Sequence, residues 1–409
     1  MNEFKILLKN ISIYTFGNIM NQALGFILIP IYSVYLSTED YGILSAMTLF
    51  ISLISIIITF SLDRSIYRCY YDYKNEDDQR VFLGTIIIGL FGVSLLFSAL
   101  IILLSKYVGL IFSSIPFFPY YLLALSILYL SNLYKITIIY YRLKEQSKKY
   151  VLFSLGYFLF NSFLIIASVV FLRQGAVGKL YANLITNLVF FFIAFYAIKK
   201  NVVFRFNYTM FKSALIYSLP IIPNLLSAFI LNVSDRIFIE KYIDLKSLGI
   251  YSLGYQLAGG LAVIGGAFYG AYNPMFFRIA NSEKEKKGYL KIVQDNYHLI
   301  IIFLHFLALL FAEELFILLI DAKFHESYQI FQLTLLAYLI TSIFDVLGLS
   351  FSQDKKMSVL MNVVIIGALI NILLNYYLIP IYGMYGASYA TIISFLIMGL
   401  VKYYFARNY

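Results

Sequence analysis

The sequence predicts an all-α integral membrane protein of about twelve transmembrane helices, arranged as two parallel six-helix lobes. Three observations predict it. Of 409 residues, 61% are hydrophobic and only 13% charged, against about 25% charged in an ordinary soluble domain. The apolar residues fall in long uninterrupted runs. Those runs recur in order from the first half of the chain to the second. A soluble fold of this length has too little interior for so much apolar surface, whereas a bilayer acts as its solvent.

The runs place twelve spans at roughly 11–35, 43–62, 81–104, 117–141, 151–172, 178–198, 213–234, 248–276, 293–312, 328–351, 357–380 and 384–406. Each needs about 20 apolar residues to cross about 30 Å of hydrocarbon. Backbone groups in lipid must bond internally, so these runs are helices. A barrel strand would alternate polar and apolar residues over about 10 positions, and Ile51 to Phe60 does not. The first span lacks the short apolar core and small-residue cleavage site of a signal peptide, and is expected to be retained. Tyrosines at the run ends, such as Tyr120, Tyr121, Tyr403 and Tyr404, suit the interfacial belt. Cys69 is the only cysteine, which rules out an internal disulfide.

Orientation follows from the basic residues. Of 31 lysines and arginines, 23 fall on one alternating set of connections and 7 on the other, with Lys135 left inside a span. The basic set is expected to be cytoplasmic, with both termini on that side of the cell (inner) membrane. The formal net charge of +10 is then a topology signal, and no nucleic-acid partner is expected. The longest connections, Asp63 to Arg80 and Arg278 to Lys291, leave no room for a soluble catalytic domain. No GxxxxGK[ST] string occurs, so this chain is not expected to hydrolyse ATP. Asp295, His298 and His305 share one helix, too few converging ligands for a metal. No cofactor, metal or covalent catalysis is expected.

The chain repeats itself. Gly175 to Ala182 and Gly383 to Ala390 both read GxxGxxYA; Gly42-Ile43 with Ser45 matches Gly249-Ile250 with Ser252; Ile13-Tyr14 with Asn21 matches Ile216-Tyr217 with Asn224. All three pairs lie 203 to 208 residues apart. Six helices per repeat is an even number, so the lobes, 1–200 and 201–409, insert in the same direction. Two such lobes leave a cleft. The first helix of each is its natural lining, carrying Asn18, Asn21 and Gln22 in one lobe and Asn224 and Asn232 in the other. These amides either line the cleft or bond between helices. Pro220 and Pro223 bracket one turn of the seventh span, as a hinge or a static kink.

Leu36-Ser37-Thr38-Glu39-Asp40-Tyr41-Gly42, Ser218-Leu219-Pro220-Ile221-Ile222-Pro223, Asn232-Val233-Ser234-Asp235-Arg236, Leu248-Gly249-Ile250-Tyr251-Ser252 and Asn371 with Ile379-Pro380-Ile381-Tyr382-Gly383 run in order along the chain. In these the sequence resembles the multidrug/oligosaccharidyl-lipid/polysaccharide (MOP) exporter superfamily, specifically its O-antigen-type flippases. The resemblance implies two lobes in a V around a central cavity. It also implies transport of a polyprenyl-pyrophosphate-linked oligosaccharide to the outer leaflet, for O-antigen, capsule or exopolysaccharide synthesis. Membrane lipids and a downstream polysaccharide polymerase would be its partners, and the chain is expected to be a monomer.

Charges at membrane depth are functional candidates. Lys135 in the fourth span and Asp345 in the tenth lie at similar depth and are candidates for a charge pair or gate; alternatively Lys135 snorkels to the headgroups. A cationic cavity suits a pyrophosphate, and Arg64, Arg68 and Arg142 either extend it or are ordinary loop charges. Asp235 and Arg236 end the seventh span as an outer gate or a helix-terminal ion pair. Two other classes compete. A cation- or proton-coupled drug antiporter needs acids at depth, yet none occurs between Lys9 and Glu39. A membrane glycan polymerase needs a sizeable outer loop with a base.

Overall fold

A computed structural model describes residues 2–109, 111–280, 284–348, 351 and 357–406. Every regular element among them is helical. The side chains of Asn18, Arg278, Lys284, Lys286 and Lys287, together with Lys355, Lys356 and Arg407, lie outside the described set.

The chain divides into two compact units, one holding 1–37 and 43–226, the other 38–42 and 227–409. The first contains α1 (Asn2–Tyr35), most of α2 (Thr38–Ile58), α3 (Leu62–Cys69), α4 (Glu76–Leu103), α5 (Ser105–Val108), α6 (Phe117–Leu143), α7 (Ser147–Ile166), α8 (Gly175–Ile198) and α9 (Tyr208–Ser218). The second contains most of α10 (Ile222–Val233), then α11 (Asp235–Tyr242), α12 (Leu245–Ala280), α13 (Lys284–Leu310), α14 (Ala312–Leu319), α15 (Ser327–Asp345), α16 (Met357–Tyr382) and α17 (Met384–Ala406). Among the described residues, eleven helical stretches are long and apolar enough to cross a membrane, and Ile19–Tyr35 of α1 is a shorter apolar one. The 21 residues of α2 extend about 31 Å at 1.5 Å each, one hydrocarbon thickness.

Three eight-residue helices among the described residues are not expected from the sequence. In the Asp63 to Arg80 connection, α3 buries Leu62, Ser65, Ile66 and Cys69 at the i, i+3, i+4, i+7 positions of one face. Phe60 and Ser61, at φ 47° and 53°, turn the chain into it. Leu62 and Ile66 join a core with Phe82, Ile86, Leu133 and Ile136. The others, α11 and α14, follow the seventh and ninth spans, where brief amphipathic stretches escape a search for long runs.

The seventh span is two helices. A 3₁₀ turn, Leu219–Ile221, separates α9 from α10, as expected where Pro220 and Pro223 leave backbone carbonyls without N–H partners. The boundary between the units falls just beyond it, at Leu226, and α9 packs on α3 and α4 of the first unit.

The repeat has a steric cause. Gly175 and Gly383, which open its GxxGxxYA copies, take φ of 56° and 61°, a region that side chains other than glycine rarely adopt. The matched Gly42 and Gly249 both lie in the second unit and touch reciprocally. A Cβ on Gly42 would sit 2.0 Å from the Leu245 carbonyl oxygen, and one on Gly249 would sit 1.8 Å from that of Thr38. Thr38 and Leu245 stand 207 residues apart, as do the glycines. The contact is therefore one motif meeting its own copy. Beside it the Tyr41 hydroxyl donates to Gln256 Oε1 at 2.6 Å.

Candidate functional site

In the first unit, the 27-residue α6 carries Lys135 and Arg142, seven positions apart and so on one face, about 10 Å along the axis. The stretch is helical because a span in lipid must bond its backbone internally, and burial of Leu133, Ile136 and Ile139 fixes which face is left for them. The Lys135 ammonium donates to Ser55 Oγ of α2 at 3.3 Å. Among the described residues no carboxylate lies within ion-pair distance of it. A cation held in a span with one neutral hydroxyl partner has not recovered its lost hydration, an effective penalty of several kcal/mol. Arg142 donates through Nη2 to the Tyr150 hydroxyl at 2.5 Å, and its guanidinium lies 4.6 Å from that ring centre. Tyr14 of α1 meets the same ring edge-on at 5.1 Å.

Arg64 and Arg68 occupy the exposed face of α3. Arg68 is paired with Asp72, whose hydrogen bond and charge raise the guanidinium above its ordinary value. Arg64 lies 4.0 Å from Asp63. Asn21 of α1 keeps its side-chain oxygen buried without a partner, whereas Asn224, its repeat counterpart on α10, is exposed.

In the second unit, Asp345 and Asp235 are each ion-paired. Asp345, at the end of α15, accepts from Lys402 of α17 at 2.6 Å, a counter-ion from within its own unit. Asp235 and Arg236 form a buried pair at 3.5 Å, with side-chain exposures of 4% and 11%. Arg236 also donates to the Asn232 carbonyl at 3.1 Å and lies 4.6 Å from the Tyr255 ring centre; Tyr251 donates its hydroxyl to Asp235. Burial pushes the Asp235 carboxyl above the usual range, opposed by the Arg236 charge and the Tyr251 hydrogen bond. Sequence reasoning misses the tyrosines and Lys402. Only an i,i+4 signal could have found any of them, and Tyr251 and Tyr255 carry it. Asn371 and Asn375 of α16 join side chains at 2.9 Å, and Asn371 also accepts from Ser234 at 3.5 Å.

Asn232, Asp345 and Lys402 also line a half-open cavity of about 570 Å³ in the second unit. Fold and span composition together describe a multi-pass membrane protein with an ion pair and a cavity in its second unit.

A profile described as "Polysaccharide biosynthesis protein" matches residues 7–280, and the chain belongs to that family. A Haemophilus influenzae protein of the Lsg locus is 28% identical over 287 residues, 68% of this chain and 67% of its own. Among solved structures, the lipid II flippase MurJ in an inward closed conformation superposes with a TM-score of 0.78 at 15% identity, covering 96% of this chain and 87% of MurJ. A Vibrio cholerae MATE transporter superposes at 0.63 with 14% identity, covering 99% and 96%. At such identities these two neighbours share the fold.

Proposed function

We propose that the protein is a flippase that carries a polyprenyl-pyrophosphate-linked oligosaccharide from the cytoplasmic to the outer leaflet of the cell membrane, for synthesis of a surface polysaccharide. The observation that carries the reading is Lys135. It is a cation inside a span, with a serine hydroxyl 3.3 Å away and no carboxylate within reach among the described residues. A site of that kind favours an anion that arrives and leaves, since a permanent counter-ion would neutralise it. The pyrophosphate supplies such an anion. Arg142, two turns along the same face, extends the positive track. Arg64 and Arg68, exposed on α3, are the first cations met from the basic side, which we take as cytoplasmic with both termini. Family membership and the MurJ-like fold support the same substrate class. An antiporter for cationic drugs would place unpaired acids at depth, whereas Asp235 and Asp345 each hold a basic partner already.

In this reading the two lobes, 1–200 and 201–409 by sequence, work by alternating access. The sugar head travels through a wet passage while the prenyl tail stays in lipid, sparing its hydroxyls the cost of burial without partners. The break at Pro220 and Pro223, just ahead of the boundary between the compact units, serves as the hinge. Asn21, with an unpartnered buried oxygen, and Asn224 offer amides to the sugar.

The test is export in a strain whose only copy carries Lys135→Ala. Surface polysaccharide should fall by about ten-fold or more at unchanged membrane level, consistent with loss of a charge-assisted contact, with lipid-linked repeat units accumulating inside. Lys135→Arg should retain part of the activity. Full export by the alanine variant would remove Lys135 from the mechanism.

A further inference from the structure

We infer that the cavity within the second unit is a subsite for one uncharged sugar residue of the transported head group; this rests on the flippase reading above. Its volume, about 570 Å³, lies in the about 300–1,000 Å³ range of small-ligand pockets. Every described lining residue comes from α10, α12, α13, α15, α16, α17 or the segment just after α15, so these all belong to one unit.

Its polar groups have spare capacity. Asn232 spends its amide N–H on the Ala228 carbonyl at 2.8 Å, leaving its oxygen to accept. Asp345 gives one oxygen to Lys402 and keeps the other, with 53% of the side chain exposed. Ser342 and Tyr297 face the cavity beside Gly265. Phe268 stacks on Tyr297 at 3.8 Å and 13°, which makes a rigid aromatic pair in the cavity wall.

Charge selects among ligands. Asp345 and Lys402 cancel each other, so a cation entering the cavity meets the ammonium and an anion meets the carboxylate. An acyl chain would strip water from Asp345, Lys402 and Asn232 and return no hydrogen bond. A neutral polyol both donates and accepts, so it satisfies the carboxylate oxygen, the amide and the hydroxyls together. The pyrophosphate belongs to Lys135, the neutral sugar to this cavity.

Gly266 provides a clean obstruction. A Cβ there would meet nothing within 4 Å, and the residue lines the cavity, so Gly266→Phe fills it without displacing backbone. Gly92, equally open but on the exposed side of α4, gives Gly92→Phe as the control. The probes are undecaprenyl pyrophosphate bearing the producing strain's own repeat unit, extracted from its membranes, and undecaprenyl pyrophosphate alone, each bound to the full-length protein in nanodiscs. The wild type should bind the glycosylated lipid about ten-fold tighter than the bare one. Gly266→Phe should abolish that preference while leaving binding of the bare lipid unchanged, and Gly92→Phe should retain it. Asp345→Asn, which keeps the shape, should reduce the preference several-fold. Retention of the full preference by both Gly266→Phe and Asp345→Asn overturns the subsite and leaves the flippase reading standing. A wild-type protein that binds neither lipid overturns the flippase reading, and the subsite with it.

Discussion

Two ion pairs of the second unit contrast with Lys135 in the first. In the second, Arg236 and Lys402 each hold a carboxylate, at 3.5 Å and 2.6 Å, and Tyr251 and Tyr255 enclose the first of these pairs. In the first, Lys135 has only Ser55. Sequence repeats relate the units, yet the charges are not part of the repeat: Lys135 and Asp345 lie 210 positions apart and differ in sign. A duplicated scaffold therefore supports polar groups of different kinds. The Asp235–Arg236 pair is closed on itself and stabilises the fold, Asp345 keeps half of its side chain exposed beside the cavity, and Lys135, on the proposed function, is left open for an anion.

Stability measurements can break this comparison. The largest expected effect lies in the scaffold itself. Gly249→Leu, forcing a side chain into the Thr38 carbonyl, should lower the folded protein recovered from membranes by more than about ten-fold, since overpacking against backbone has no side chain to yield. Gel filtration of detergent extracts measures it, and a monodisperse normal yield would refute the close approach. Next come the charges. Arg236→Leu leaves Asp235 buried and alone, a loss of about 3–5 kcal/mol, and should lower the thermal midpoint by many degrees. Lys135→Leu removes an unpaired cation and should leave the midpoint unchanged or raised while export is lost. If the two leucine variants shift the midpoint alike, the contrast between the units fails. The smallest effect concerns Cys69, buried at 6% exposure in the first unit's core, where burial raises its thiol above the ordinary value. Since the thiolate is the nucleophile, maleimide should label native protein slowly at neutral pH and rapidly after denaturation. Fast labelling of native protein would place α3 outside the core.

Legibility in the sequence follows length scale. Spans of about 20 apolar residues announce themselves because lipid tolerates few alternatives. Thus α2, α4 and α16 stand within a few residues of their expected places, and the break at Pro220 falls where proline chemistry requires. The eight-residue α3, α11 and α14 are invisible, since short amphipathic segments read as loop until something covers their apolar face. Asp345 is legible as a deep acid, but its partner is not: Lys402 lies 57 residues away and reads, by sequence, as one more basic residue at a helix end.

The amino-acid order alone determined that this chain is a helical membrane protein, twice repeated, with a lysine in the fourth span, because hydropathy, glycine spacing and charge asymmetry are local properties that lipid and backbone geometry act on directly. Which charges neutralise one another, which glycines touch, and that a cavity opens among the helices of the second unit were decided by tertiary packing. Those facts depend on side chains far apart in the chain arriving within a few ångströms, and no local pattern encodes that distance.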